Sequence, residues 1–301
     1  MVCSSPIRLP QDNGRVRYFP CGHCIACRIQ RTSQWSMRLM NELPYWNNEA
    51  CFVTLTYDNE HLPDDDGLRP DDLQKFFKRL RKDLDGKKIK YYACGEYGDK
   101  KELRSDGKML GRCHFHSIIF GVPYNKDGRE LIKQNWTFCD PHRFDYDYIR
   151  HKEQGFAPCE PDAIRYVCGY VQKKYNGEKA FEEYGDRCPP FQRQSQGIGL
   201  QFALDNEDLV RNNGLRFRGH LVGNPRYYVK KLGLSNPMES RLNETQRKVD
   251  WLQEHGFLSD EELEHYIGGT FSSCIDEKYS SATEKAFAQY DAELKAKYDM
   301  E

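Results

Sequence analysis

The sequence predicts an α+β fold in which a central antiparallel β-sheet is flanked by helices, with helical additions at the N- and C-terminal ends. Three observations support this class. Short runs of β-branched and aromatic residues alternate with longer segments whose apolar residues recur at helical spacing. Two of the short runs are separated only by a polar segment, as in an antiparallel hairpin. With 301 residues, the chain is long enough to bury a sizeable core.

The predicted helices follow from apolar periodicity. The first covers 29–43, after a group of closely spaced cysteines. The second covers 72–84, is capped by Asp71 or Asp72 and ends at Gly86. Its apolar stripe lies opposite a face rich in lysine and arginine. The same periodicity predicts later helices at 129–136, 162–175 and 283–300.

Three strands are predicted to form the sheet, at 51–57, 89–96 and 113–121. The polar segment 98–111 is interpreted as the loop that joins the second strand to the third, so these two strands form an antiparallel hairpin.

This order of elements divides the chain into three parts. We predict a Cys-rich arm and helix at 1–45, the sheet domain at 46–185, and an accessory, mostly helical region at 186–301 that ends in an acidic tail. In the last part, Ser259 and Glu262 have the spacing of a helix capping box.

Charge is distributed unevenly, although the formal net charge is only −1. Residues 71–112 contain thirteen lysines and arginines against eight acidic residues, whereas 237–301 contain seven against fifteen. Basic segments with many aromatic residues suit a nucleic-acid groove. Ordinary solvated charge is the alternative explanation.

Composition also limits the location of the protein. The content of 38% hydrophobic and 30% charged residues is typical of a globular protein. No stretch reaches the roughly 20 apolar residues of a membrane span, and the N-terminus does not resemble a secretory signal. We therefore expect a cytoplasmic protein with no membrane partner.

His114 and His116 are the first candidate site residues. Residues i and i+2 of a strand point to the same face, so both imidazoles project together. Glu96, near the end of the hairpin partner strand, is the natural third ligand. Two histidines and one carboxylate suit a catalytic divalent cation with open positions. An isolated His-x-His is equally compatible with two half-exposed histidines on a sheet face.

Tyr166 and Tyr170 form the second group. Four residues apart on a helix, they share one face, and Lys173 follows on the same side. A tyrosine hydroxyl can attack phosphorus if a metal and a cation offset the developing charge. An amphipathic stripe at the edge of the core is the alternative. The third group is the strand face of Thr54 and Thr56, which an ordinary β-strand also explains.

Taken in order, these groups resemble the three motifs of the HUH endonucleases that start rolling-circle replication. The motifs are the strand 52–56, His114-Phe115-His116, and 170–173. Tyr166 fits the additional tyrosine of the two-tyrosine branch. Seven segments between about 21 and 232 resemble the replication initiator proteins of gokushoviruses, a branch of the microviruses: PCGHCIACR, FVTLTYDNEHLP, CGEYG, HFHSIIFG, YVCGYVQKK, GIGLQF and PRYYVKKL.

The resemblance implies an HUH/RRM-like palm and an enzyme that nicks and rejoins single-stranded or supercoiled phage origin DNA. It implies that His114, His116 and Glu96 hold Mg²⁺ or Mn²⁺. It further implies that Tyr166 or Tyr170 forms a 5′-phosphotyrosyl bond.

The family also implies the setting of the reaction. This is the cytoplasm of the infected bacterial host, with the host replication helicase and DNA polymerase as partners. For contacts to the DNA we expect six residues of the first strand and the basic helical faces: Thr54, Thr56, Lys75, Lys78, Arg79 and Lys174.

The cysteine cluster suggests a separate site. Cys21, Cys24 and Cys27 supply three thiols, and a structural Zn²⁺ needs four ligands. Cys3 would complete an all-cysteine site, whereas His23 is cramped between two of the cysteines. A reduced turn with buried thiols is the alternative, and an iron–sulfur cluster fits the spacing less well.

Other enzyme classes fit the motifs less well. A zinc deaminase needs His-x-Glu followed by Cys-x-x-Cys, and here the cysteines precede the histidines. A two-histidine phosphodiesterase needs a second His-x-Ser/Thr motif, which the chain lacks. The remaining alternatives are a plasmid or transposon HUH nickase and a non-catalytic, zinc-dependent DNA-binding protein.

Overall fold

The computed structural model describes residues 7–10, 16–47, 49–103, 109–145, 155–169, 178–212, 214–217, 220–234, 248–259, 262 and 271–298. The strands are β1 (Ile7–Pro10), β2 (Val16–Phe19), β3 (Ala50–Thr56), β4 (Lys90–Leu103), β5 (Met109–Phe120), β6 (Phe156–Pro158), β7 (Phe191–Gln194), β8 (Arg216–Phe217) and β9 (His220–Leu221). The α-helices are α1 (Ile25–Glu42), α2 (Pro70–Asp83), α3 (Lys126–Asn135), α4 (Pro161–Gly169), α5 (Glu178–Tyr184), α6 (Leu200–Asp205), α7 (Glu207–Arg211), α8 (Arg226–Lys231) and α9 (Phe271–Tyr298). Short 3-10 helices lie at Leu43–Trp46 and Pro141–Phe144, and 248–254 are also helical.

The central sheet has five strands in the order β6-β3-β5-β4-β7, and every pairing in it is antiparallel. The predicted fold class is confirmed, and so is the predicted hairpin, since β4 pairs directly with β5. The edge strands β6 and β7 were not predicted, because three or four residues are too few to carry a clear period.

Side-chain alternation divides the sheet into two faces, each with its own core. On the back face, Val53 and Phe115 pack with the apolar residues of α2 and α3. On the front face, Phe52 and Ile118 pack with α1 and α4. The predicted two faces of β3 are therefore confirmed, and every strand residue can be assigned to one face by its parity.

Helix α2 has the predicted buried stripe, but the predicted cap is wrong. The helix begins at Pro70, after Arg69, and no side chain caps it. Proline at the first position has a helical φ and no N–H group that needs an acceptor, so it can start a helix without a cap. Asp71 and Asp72 lie in the first turn, where Asp72 Oδ2 accepts a 3.0 Å hydrogen bond from Tyr57 Oη.

The predicted loop at 98–111 is also wrong, because β4 and β5 continue through most of it. Polar composition marks residues that are not in a core, and a hairpin arm can be both polar and paired. The pairing shifts register between Tyr97 and Lys101. The two backbones approach so closely there that a Cβ atom on Gly111 would lie 1.5 Å from the carbonyl oxygen of Gly98. Only glycine fits this position.

The predicted boundaries at 45 and 185 do not separate independent units. Helix α1, from the predicted N-terminal arm, contributes Leu39 to the front core. Strand β7, from the predicted accessory region, is an edge strand of the central sheet. The sheet domain therefore recruits elements from both sides of the predicted segment.

A buried cation attaches the later segments to α1. The guanidinium carbon of Arg38 lies 3.9 Å from the ring centre of Trp35 and 3.8 Å from that of Tyr227. Its Nε donates to the carbonyl oxygen of Ile198 at 3.0 Å. Stacking and hydrogen bonding together offset the cost of burying this charge. Two of the segments that carry the family resemblance, GIGLQF and PRYYVKKL, thus pack on α1.

The C-terminal part ends in α9, which begins at Phe271, earlier than the predicted 283–300, and contacts both α1 and α4. The predicted capping box is confirmed: Ser259 N donates to Glu262 Oε2 at 2.9 Å, and Glu262 N donates to Ser259 Oγ at 3.2 Å. No disulfide joins any of the described cysteines. None of the described helices combines the length and apolar character needed to cross a membrane.

Candidate metal centre

Strand register places three ligating side chains together on the front face. Glu96 of β4 lies directly opposite His114 of β5, and His116 lies one pair further along the same strand. On the other side of β5, Thr56 pairs with His114 and Thr54 with His116. All five side chains have the same parity, so the sheet presents them on one surface.

The three candidate ligands converge on one point. Glu96 Oε1 lies 2.9 Å from His114 Nε2 and 3.0 Å from His116 Nε2, and the two Nε2 atoms are 3.0 Å apart. Within the described residues, only this cluster and that of Cys21, Cys24 and Cys27 bring together three potential metal ligands. The structure thus brings together the three residues that were selected from the sequence.

Hydrogen bonds behind the imidazoles fix their orientation. His114 Nδ1 lies 3.0 Å from the carbonyl oxygen of Arg112, which can only accept a proton. In the neutral ring, His114 therefore carries its proton on Nδ1 and presents a lone pair on Nε2. His116 Nδ1 lies 3.0 Å from Thr54 Oγ1, which can accept in the same way. Such outer partners are usual behind histidines that bind metals.

The carboxylate of Glu96 is buried, with 4% exposure, yet ionised. Burial raises its pKa, but hydrogen bonds and charge interactions with His114 and His116 lower it further, to about 2. Its second oxygen, Oε2, is buried and has no hydrogen-bond partner within the described part of the chain. One anionic oxygen and two lone-pair nitrogens at mutual contact, beside an unsatisfied oxygen, fit a divalent cation.

Tyr166 lies beside this cluster. Its ring centre is 5.2 Å from that of His116 in an edge-on arrangement and 6.1 Å from that of Phe52, and the residue is 4% exposed. Helix α4 brings it there because Ile164 and Val167 on the same helix pack into the front core. Of the other predicted residues, Tyr170, Lys173, Lys174 and Cys3 lie outside the described residues.

The residues predicted to contact DNA do not surround the cluster. Helix α2 packs on the back face, so Lys75, Lys78 and Arg79 lie across the sheet from Glu96. Arg79 also donates to the carbonyl oxygen of Asn135 at 2.7 Å, which joins α2 to the end of α3. The expectation that α2 contacts DNA beside the cleaved phosphate is therefore wrong. Contacts further along the strand stay a prediction.

Three residues that support the metal cluster were not predicted in that role. The carbonyl of Arg112 orients His114, and the hydroxyl of Thr54 orients His116 instead of facing DNA. Phe52 stacks on the His116 ring with a centre distance of 5.7 Å and an interplanar angle of 16°. The alternation of β3 places Phe52 and Thr54 on the histidine face, and this was the available signal.

The cysteine cluster forms at the start of α1. The sulfur atoms of Cys21, Cys24 and Cys27 all lie within 4.8 Å of one another. His23 does not join them: it is exposed, and its Nδ1 lies 3.0 Å from the carbonyl oxygen of Cys21.

Comparison with known proteins gives one family and several phage relatives. Residues 50–175 match the family model for replication-associated proteins of the ORF2 type. The replication-associated protein ORF4 of Chlamydia phage 1 is 30% identical over 69% of this chain and 52% of its own length. The replication-associated protein ORF2 of Spiroplasma virus 4 is 29% identical over 64% of this chain and 58% of its own.

A third relative, the replication-associated protein VP4 of Bdellovibrio phage phiMH2K, is 30% identical over 52% of this chain and 48% of its own length. The chain thus spans about half the length of these relatives. No significant match to a solved structure was found. The matched region contains β3, both histidines and Tyr166, and the family predicted from the motifs is confirmed: the chain belongs to the ORF2-type replication-associated proteins of phages.

Proposed function

We propose that the protein is a replication initiator that nicks and rejoins single-stranded origin DNA of a phage through a 5′-phosphotyrosine intermediate. The observation that carries this proposal is the convergence of Glu96, His114 and His116 with Tyr166 packed against them. A cation site beside a tyrosine combines the two groups that the reaction needs. The names of the phage relatives support a role in replication.

The spacing of the ligand atoms favours Mg²⁺ or Mn²⁺ as the bound ion. Six ligands at about 2.0–2.1 Å place neighbouring ligand atoms about 2.8–3.0 Å apart. A tetrahedral Zn²⁺ at similar bond lengths would place them about 3.3–3.4 Å apart. The separations of 2.9–3.0 Å match the first arrangement. When bound, the ion would polarise the oxygens of the scissile phosphate and offset their growing charge.

The tyrosine supplies the nucleophile. In the proposed step, its Oη attacks phosphorus, the bond from phosphorus to the 3′ oxygen breaks, and the tyrosine proton ends on that oxygen. The products are a tyrosyl ester of the DNA 5′-phosphate and a free 3′-hydroxyl group for a polymerase. Because one phosphate ester replaces another, the reverse reaction rejoins DNA without ATP.

Two tyrosines would let one protein complete a cycle. While Tyr166 or Tyr170 holds the first DNA end, the other can cut the regenerated origin, and their spacing of one helical turn lets both approach one ion. Lys173, three residues after Tyr170, is proposed to offset phosphate charge. Host replication helicase and DNA polymerase, in the cytoplasm of the infected host, are the proposed partners.

The test is formation of a covalent adduct. Single-stranded oligonucleotides that tile the encoding phage genome, labelled at their 3′ ends, are incubated with protein and Mn²⁺ and separated under denaturing conditions. A 5′-phosphotyrosyl bond attaches the labelled fragment to the protein. We expect an adduct from the wild type and none from the Tyr166→Phe, Tyr170→Phe double variant.

Tyr45→Phe is the matched control, since Tyr45 is exposed and its hydroxyl only donates to Asp205 Oδ2. It should form as much adduct as the wild type. If the wild type binds an oligonucleotide but forms no adduct on any of them, the protein is a DNA-binding protein and not a nickase.

A further inference from the structure

We propose that Cys21, Cys24 and Cys27 bind a structural Zn²⁺ that fastens the start of helix α1. This site is separate from the centre at Glu96 and has no part in the proposed reaction. Cys21 and Cys27 have their sulfur atoms 4.0 Å apart, and all three sulfurs lie within 4.8 Å of one another. Thiolates at about 2.3 Å from a tetrahedral Zn²⁺ would lie about 3.8 Å apart, so only a small contraction is needed.

The local backbone is already shaped for a metal-binding turn. Gly22 has a φ of +81°, a conformation that glycine adopts without strain, and this bends the chain between the first two cysteines. The backbone N–H of Cys24 donates to the sulfur of Cys21 at 3.3 Å. An N–H group directed at sulfur favours the thiolate, which is the form that binds metal.

The helix that follows adds to this preference. Cys24 is the N-cap residue of the 18-residue helix α1, and Cys27 lies in its first turn, where it is buried. No acidic residue lies in that first turn. The positive end of the helix dipole therefore meets thiols only, and it stabilises their ionised form.

His23 does not supply a fourth ligand in this arrangement, because it is exposed and turned toward the carbonyl oxygen of Cys21. Three thiolates fill three positions of a tetrahedral Zn²⁺. For the fourth we retain Cys3, the ligand expected from the sequence. The sulfur separation of 4.0 Å is about twice the length of a disulfide bond.

The site would also brace the helix that carries Tyr166. Beyond the cysteines, Thr32 Oγ1 of α1 donates to the carbonyl oxygen of Cys168 at 3.2 Å, near the end of α4. The two helices pack along the front face. A fixed start of α1 therefore limits the movement of α4. This consequence rests on the proposed function, whereas zinc binding does not.

The experiment measures metal content without DNA. The full chain is purified under reducing conditions with added Zn²⁺, dialysed, and analysed by elemental mass spectrometry. We expect one bound zinc per chain, lost in Cys24→Ser and Cys27→Ser. Cys188→Ser is the matched control: Cys188 is half-buried outside this cluster, and the variant should keep its zinc.

Two further measurements on the wild type keep the test valid even if a variant fails to fold. Titration with an organic mercurial should release zinc in step with modification of thiols. Addition of Co²⁺ to zinc-free protein should produce an intense sulfur-to-cobalt charge-transfer band. Wild-type protein without zinc and without this band overturns the proposal, as does a purified protein that holds iron and sulfide instead. Adduct formation is scored separately, so either proposal can fail alone.

Discussion

The two faces of the sheet are built from the same strands but serve different purposes. On β5, Phe115 points to the back face, where it is fully buried in an apolar core, whereas His114 and His116 point to the front face, where they meet Glu96. Alternation therefore lets one strand provide a rigid support and a reactive surface at once. The back face can be expected to set stability and the front face to set chemistry.

Substitutions at two adjacent residues test this division most strongly. His116→Ala removes one of three proposed metal ligands and should reduce adduct formation by more than about 100-fold, since even partners behind the ligands are worth 10–100-fold. Phe115→Ala should instead destabilise the protein by about 3–5 kcal/mol, because it leaves a cavity in a packed core. Urea unfolding and the adduct assay measure both quantities for each variant. Equal loss of stability in the two variants would remove the distinction between the faces.

The next largest effect concerns the support of the ligands on the front face. Thr54→Val keeps the shape of the side chain but removes the hydroxyl that meets His116 Nδ1 at 3.0 Å. We expect Mn²⁺ affinity to fall by about 10–100-fold, as measured by isothermal titration calorimetry. Thr56→Val is the matched control on the same strand face, and its affinity should stay closer to that of the wild type. An unchanged affinity in Thr54→Val would show that His116 needs no such support.

A pH-dependent effect follows from Glu96 in the metal-free protein. Its pKa lies at about 2 in the folded chain, below the ordinary 4.5. A carboxyl group with a lower pKa in the folded state stabilises the fold above its unfolded pKa and loses that contribution as pH falls through the folded value. Stability that depends on Glu96 should thus decline between about pH 4.5 and pH 2. Glu96→Gln should flatten this part of the curve of unfolding free energy against pH, and a curve parallel to that of the wild type would contradict the paired carboxylate.

The smallest effect is expected on the back face. Lys75 and Lys78 are exposed on α2, across the sheet from the metal cluster. If they contact phosphates away from the cleaved bond, Lys75→Ser with Lys78→Ser should weaken DNA binding and reduce its salt dependence, with a change in slope of about 1.4 for single-stranded DNA. The rate of adduct formation at saturating DNA should not change. A lower rate at saturation would place these lysines at the reaction after all.

Local patterns in the sequence predicted the parts of the fold that depend on burial. The alternation of β3 and the stripe of α2 are periodic, and a periodic segment must bury its apolar side. The ligand set was also predictable, because a His-x-His strand and a glutamate on its hairpin partner can meet on only one face.

Long-range packing was not predictable in the same way. The basic side of α2 gives no information about which face of the sheet the helix covers, so its lysines were placed beside the wrong core. The polar segment 98–111 was interpreted as a loop, because the close approach of Gly98 and Gly111 depends on the register of two strands and not on local pattern. Short edge strands such as β7 depend on the neighbour they pair with.

The most direct test of the metal centre is the anomalous scattering of Mn²⁺ in crystals of the protein. We predict one strong peak within bonding distance of Glu96 Oε1, His114 Nε2 and His116 Nε2, with Tyr166 alongside, and no such peak in His114→Ala crystals. Wild-type crystals that bind Mn²⁺ elsewhere, or show no peak at these three atoms while the protein still forms the adduct in solution, would contradict the proposed centre.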